Sequence, residues 1–162
     1  EHPFPIPHDD CFAALNWARD NAEVLGIDPN KIGVGGDSAG GNLAAGVALR
    51  ARDNEIKLAF QLLVYPAVDN NFETDSYKKY ATGVGLTTAG MKWFWDQYLG
   101  NQEGNYYARP IIGDANKLAP AIVMICEYDV LRDDSLIYAQ KLKASGIKVI
   151  EHYYDEIGRA HV

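Results

Sequence analysis

One short run constrains this chain more than any other: Gly36-Asp37-Ser38-Ala39-Gly40, a serine with a glycine two places away on either side. Residues 31–35 before it read as a short buried strand. Residues 42–52 after it are rich in Ala, Leu and Val and read as a helix. A serine at so sharp a strand-to-helix corner takes a strained backbone conformation, and bulky neighbours would clash, so glycines are expected to flank it. Its hydroxyl then stands clear of the sheet, and the first N–H groups of the helix face any negative charge that develops beside it. A plain loop or a phosphate cradle can carry the same residues. Against the cradle, the chain has neither a G-x-G-x-x-G run nor a Lys-Ser/Thr pair at the spacing a phosphate loop needs.

The rest of the chain supplies the setting for that corner. Apolar residues at Cys11, Leu15, Ala18, Ala22 and Leu25 mark one helical face, with Asp9 and Asp10 in its first turn and Gly26 past its end. Residues 58–65 form a near-continuous apolar run, as a central parallel strand covered on both faces requires, and Pro66 ends it. Residues 69–118 are polar and aromatic, an insertion with one helix predicted at 88–99. Met91, Trp95 and Tyr98 share a face of that helix, and packing explains such a stripe better than ligand binding does. A strand at 121–126, a helix at 133–145 closed by Gly146, and a strand at 147–153 complete a β-α-β-insertion-β-α-β order. That order predicts one α/β domain over residues 1–162, with a parallel sheet flanked by helices.

Composition removes several classes of function. The 162 residues carry a formal net charge of −7, and no basic run exceeds two residues, so nucleic acid is not an expected partner. No apolar stretch approaches the roughly 20 residues needed to cross a bilayer. Cys11 and Cys126 are the only cysteines, too few for a disulfide framework or a Cys-rich zinc site. No His/Asp/Glu cluster has metal-ligand spacing, and no cofactor is expected. Cys126 has no basic neighbour in sequence to activate it and is expected to be a buried strand thiol. The chain opens at Glu1-His2-Pro3 without an initiator methionine and stops at Ala160-His161-Val162 soon after a glycine, so we expect an internal fragment of a longer chain. A cytoplasmic location follows only as the default from the lack of a visible signal.

The longer string Gly35-Gly36-Asp37-Ser38-Ala39-Gly40-Gly41-Asn42-Leu43-Ala44 resembles the signature of the hormone-sensitive-lipase-like carboxylesterases of the α/β-hydrolase fold. The resemblance continues in order along the chain. It takes in Glu1-His2-Pro3-Phe4-Pro5 with Asp9-Asp10, then Asp28-Pro29-Asn30-Lys31-Ile32, then Tyr65-Pro66-Ala67-Val68-Asp69, and finally Glu127-Tyr128-Asp129-Val130-Leu131-Arg132-Asp133-Asp134. It implies a partial α/β-hydrolase fold in which the first strands and the N-terminal cap are absent.

A serine nucleophile needs a base, and the base needs a carboxylate to orient it. The resemblance orders them Ser, then acid, then His, which implies Ser38 as nucleophile and Asp129 as acid. Asp133 and Asp134 compete with Asp129, but acids at a helix start read more simply as caps. Of the four histidines, His2 and His8 come too early and His152 lies within the predicted last strand; His161 lies about where the resemblance places the base, the alternative being that this chain holds no working histidine. The resemblance usually places His-Gly-Phe there. Here His161 precedes Val162, and Glu156-Ile157-Gly158-Arg159-Ala160 departs from the usual approach. The resembled proteins build most of their oxyanion hole from a His-Gly-Gly-Gly segment upstream. No such run exists in this chain, so the N–H of Ala39 is the one donor available, within a turn formed by Gly36, Asp37, Gly40 and Gly41. The isolated chain is accordingly expected to be a poor enzyme.

The function implied is hydrolysis of short- to medium-chain carboxylic esters through an acyl-enzyme, with a small-molecule ester as the partner. The resemblance also brings a homodimer formed through the last strand. Two other readings stay open. One is a non-catalytic small-molecule binder on the same fold, like the plant gibberellin receptor, and the other is an inactive gene fragment.

Overall fold

The computed structural model describes residues 2–159. Four parallel strands lie in the order β1 (Val34–Asp37), β2 (Gln61–Val64), β3 (Ala121–Tyr128) and β4 (Val149–Gly158). Six helices accompany them: α1 (Ile6–Asp20), α2 (Ala22–Leu25), α3 (Ala39–Asp53), α4 (Asp75–Lys79), α5 (Thr88–Leu99) and α6 (Arg132–Ala144). A 3₁₀ turn, Pro110–Ile112, lies between α5 and β3. The α/β order and the parallel sheet agree with the pattern of the sequence.

The main core forms where α3 and α6 cover one face of the sheet. Ala44, Ala45 and Leu49 of α3 and Tyr138, Ala139 and Leu142 of α6 meet Leu63, Val123 and Ile125 there. On the opposite face Leu62, Val64, Ile122 and Met124 stay half-buried and Ile150 is exposed. Within the described residues α3 and α6 cover one face of β2, where the apolar run predicts cover on both. Alternate side chains of β2 differ in burial because both crossover helices pack on the same side. A smaller core holds Leu15 of α1 against Val47, Ala48 and Ala51 of α3.

Residues 69–118 build a second core from Tyr77, Tyr80, Met91, Trp95 and Leu99. It closes on Ala67 past the end of β2 and on Val130 and Leu131 past the end of β3, and so roofs the C-terminal ends of those strands. Met91 and Trp95 are buried and Tyr98 half-buried, so the aromatic stripe of α5 is packing.

Several boundaries differ from those expected. The first strand lies at Val34–Asp37 rather than 31–35, because its register against β2 carries pairing through Asp37, opposite Val64. The helix expected to run through Leu25 breaks at Asn21, whose backbone and side chain both bond to the Trp17 carbonyl. Leu25 is left exposed as a result. The last strand runs on to Gly158, with a register shift against β3 between Cys126 and Tyr128 that absorbs extra residues of β4. His152 lies in that strand opposite Met124, as an ordinary exposed sheet residue.

Candidate active site

The strand order brings the candidate residues to one edge. In a parallel sheet every strand ends on the same side, and loops leaving those ends share a crevice. Ser38 follows β1, Tyr65 follows β2, Asp129 follows β3 and Arg159 follows β4. At about 4.8 Å per strand, the ends of β1 and β3 stand about 10 Å apart across β2.

Ser38 sits at φ 53° and ψ −116°, in backbone space that a side chain rarely enters. One helical bond and two long-range bonds hold it there. Its N–H donates to the Val64 carbonyl at 2.9 Å, and its carbonyl accepts from the N–H of Asn42 at 3.0 Å and of Ala67 at 3.3 Å. A Cβ on Gly36 would stand 2.5 Å from the carbonyl carbon and oxygen of Gly40, so the corner closes only with glycine at 36. A Cβ on Gly41 would stand 2.9 Å from Pro66 Cβ. Gly40 itself is corrected: a Cβ there meets nothing nearer than Asp37 Oδ1 at 3.9 Å, so no clash of its own demands glycine. Asp37 ends β1 with its side chain in solvent.

Helix α3 starts at Ala39 directly after the serine, so the Ala39 N–H is among the unpaired donors of a helix N-terminus. Ala39 is exposed, on the open side of the corner.

Asn42 carries structural weight that the sequence reading gave only to its glycine neighbours. Buried in the first turns of α3, its Nδ2 donates to the Ala67 carbonyl at 2.7 Å and to the Ala108 carbonyl at 2.8 Å. It pins the serine corner to the loop after β2 and to the segment that roofs the strand ends. The Asn directly after Gly40-Gly41 was the available signal.

Asp129 is wholly buried. Its Oδ1 accepts the Leu131 N–H at 3.0 Å and faces Arg159 Nη1 at 3.5 Å. Its Oδ2 has no partner among the described residues. Burial pushes its carboxyl above the usual carboxylate range, while Arg159 and the Leu131 N–H pull the other way. The same burial, with the Asp129 charge, pushes the Cys126 thiol up to about 11, which leaves it protonated and unreactive at neutral pH.

The two competing acids belong to the scaffold. Both lie in the first turn of α6, but neither caps it with its side chain. Asp133 reaches across to α4, accepting the Ser76 N–H at 2.8 Å, while Ser76 Oγ donates to the Val130 carbonyl at 2.7 Å. Asp134 is almost fully buried, and that burial, with Asp69 nearby, holds its carboxyl well above the ordinary range. His161, the expected base, lies outside the described residues. Among the described residues no group of three or more His, Cys, Asp or Glu could hold a metal ion, and no helix is long and apolar enough to cross a membrane.

Comparison with known proteins finds the same fold. A family model for the alpha/beta hydrolase fold matches residues 1–161. An arylesterase of Saccharolobus solfataricus is 40% identical over 158 residues, covering 93% of this chain and 50% of the arylesterase. An arylacetamide deacetylase of Bos taurus is 33% identical over 220 residues, covering 96% of this chain and 55% of that protein. Among solved structures, a thermostable carboxylesterase from a metagenomic library superposes with a TM-score of 0.92 at 39% identity, covering 97% of this chain and 55% of the other. The chain thus spans about half the length of the curated relatives it matches. It belongs to the α/β-hydrolase fold family.

Proposed function

We propose that the protein hydrolyses short- to medium-chain carboxylic esters through an acyl-enzyme, with Ser38 as nucleophile, His161 as base and Asp129 as the orienting acid. One observation carries the reading: a serine held at φ 53° between β1 and α3 shares a sheet edge with a buried aspartate whose Oδ2 lacks a partner among the described residues. His161 takes the proton of Ser38 Oγ as the oxygen attacks the ester carbonyl, and Asp129 stabilises the imidazolium. The tetrahedral intermediate places its oxyanion against the Ala39 N–H. Collapse expels the alcohol, which takes the proton back from His161, and water then hydrolyses the acyl group by the same steps. The relatives' names, arylesterase and carboxylesterase among them, support an ester as the substrate.

The same reading includes a homodimer built through β4, which is an edge of the four-stranded sheet. It keeps the cytoplasm as the default location. It also treats residues 69–118 as an insertion that roofs the site within one domain.

The test is hydrolysis of p-nitrophenyl esters from acetate to laurate by this chain joined to the upstream half of an esterase relative. Activity that favours short chains and vanishes in both Ser38→Ala and His161→Ala bears the proposal out. Activity that survives His161→Ala moves the base elsewhere. A folded protein with no turnover overturns the esterase reading and favours ligand binding on the same fold.

A further inference from the structure

We propose that Arg159 is a positioning residue for the candidate acid: seated on the Tyr65 ring, it occupies the Asp129 Oδ1 side and leaves Oδ2 to the base. The inference rests on the reading of Ser38 and Asp129 as parts of one catalytic site.

Three strand ends make the arrangement. Tyr65 follows β2 and is buried, so its ring is a packed platform rather than a surface group. The Arg159 guanidinium lies 4.8 Å from the centre of that ring, within cation–π range. From there Nη1 stands 3.5 Å from Asp129 Oδ1, with the Arg159 side chain 13% exposed and that of Asp129 at 0%. A wholly buried carboxylate is costly to ionise unless a charge or hydrogen bonds accompany it. The Leu131 N–H and Arg159 both serve Oδ1, and Oδ2 has no partner among the described residues.

The other groups around Asp129 cannot take this part. Tyr65 from β2, Tyr77 from α4 and Cys126 from β3 are acids pushed up by burial, and Asp134 from α6 is a second carboxyl. Among the described residues Arg159 is the cation that faces it. An arginine suits the place better than a lysine because its planar, weakly hydrated head stacks on an aromatic face while it pairs.

Two measurements separate this role from a simple tether for the end of β4. The first follows the Asp129 carboxyl by carbon NMR titration in the 162-residue chain, with Arg159→Gln and Arg159→Met beside the parent. Loss of the cation should raise the Asp129 midpoint by about one pH unit or more, and Arg159→Lys should restore most of the shift. An unmoved midpoint in variants that still fold overturns the proposal, whatever the chain's activity.

The second follows the pH dependence of Ser38 labelling by a fluorophosphonate, in the chain joined to a relative's upstream half. On the proposed reading the base pairs with Asp129, so removing Arg159 also removes a cation from its surroundings; the acid limb should then move up by about one unit and labelling at pH 6 should slow about tenfold. A lower melting temperature with an unchanged limb shows a tether only and overturns the positioning role. A parent that folds but is never labelled at Ser38 overturns the esterase reading and this role with it, even where the carboxyl titration shifts as expected.

Discussion

Gly36 and Gly40 touch through the space a side chain would fill: a Cβ on Gly36 would stand 2.5 Å from the carbonyl carbon and oxygen of Gly40. The same atom on Gly40 would find its nearest neighbour at 3.9 Å. Two glycines at symmetric spacing around Ser38 therefore do different work, one admitting a backbone and the other merely starting a helix.

That asymmetry predicts opposite results for two alanine substitutions. Gly36→Ala forces two backbones apart and should cost about 1–3 kcal/mol, the usual scale of overpacking. Gly40→Ala should be neutral or stabilise by up to about 1 kcal/mol, since alanine is the better helix former. Urea midpoints of the two variants decide it, and equal losses in both would refute the asymmetry.

Asn42 donates to the carbonyls of Ala67 and Ala108, two segments that no local interaction would join. Asn42→Ala should lose about 2–3 kcal/mol, from two buried bonds and two carbonyls left unpaired. Asn42→Asp should lose more, because a carboxylate would then face two carbonyl oxygens. Denaturant unfolding of both variants checks the order.

His8 is buried at the α1–α3 contact, stacked on Tyr107 at 5.1 Å with Nδ1 3.2 Å from Arg50 Nη1. Burial chiefly lowers its pKa, and Arg50 adds to this, against the raising effects of a Gly46 backbone bond and of Asp9. A histidine lowered in the folded state binds its proton more readily when unfolded. Its stabilising contribution is therefore present above the ordinary value of 6.5 and is lost as pH falls below that value toward the folded pKa. The stability difference between the parent and His8→Gln should shrink between pH 7 and pH 5. A difference that stays constant across that range would show that folding does not shift the His8 pKa.

Cys126 is 0% exposed and its thiol is pushed up to about 11, whereas Cys11 is partly exposed. Iodoacetamide at pH 8 should modify Cys11 first and reach Cys126 only on unfolding. Mass mapping of the alkylated peptides reads the order. Early modification of Cys126 would reopen the thiol as a nucleophile.

Much of the site's outline was readable along the chain because its causes are local. Glycine at 36, the serine corner and the helix after it follow from sterics among consecutive residues. The helix Thr88–Leu99 agreed with its expected limits because Thr87 Oγ1 accepts the Gly90 N–H at its start and Gly100 ends it. The candidate acid was legible as a motif residue. The start of β1 three residues later and the Asn42 bridges were not, and neither was the seat of Arg159 between Tyr65 and Asp129. Each depends on which strand ends become neighbours and on which side the crossover helices pack. Partners such as Asp129 and Arg159, or Asn42 and Ala108, lie far apart in the chain, and only the register of β1 to β4 and the packing above their ends bring them within bonding distance.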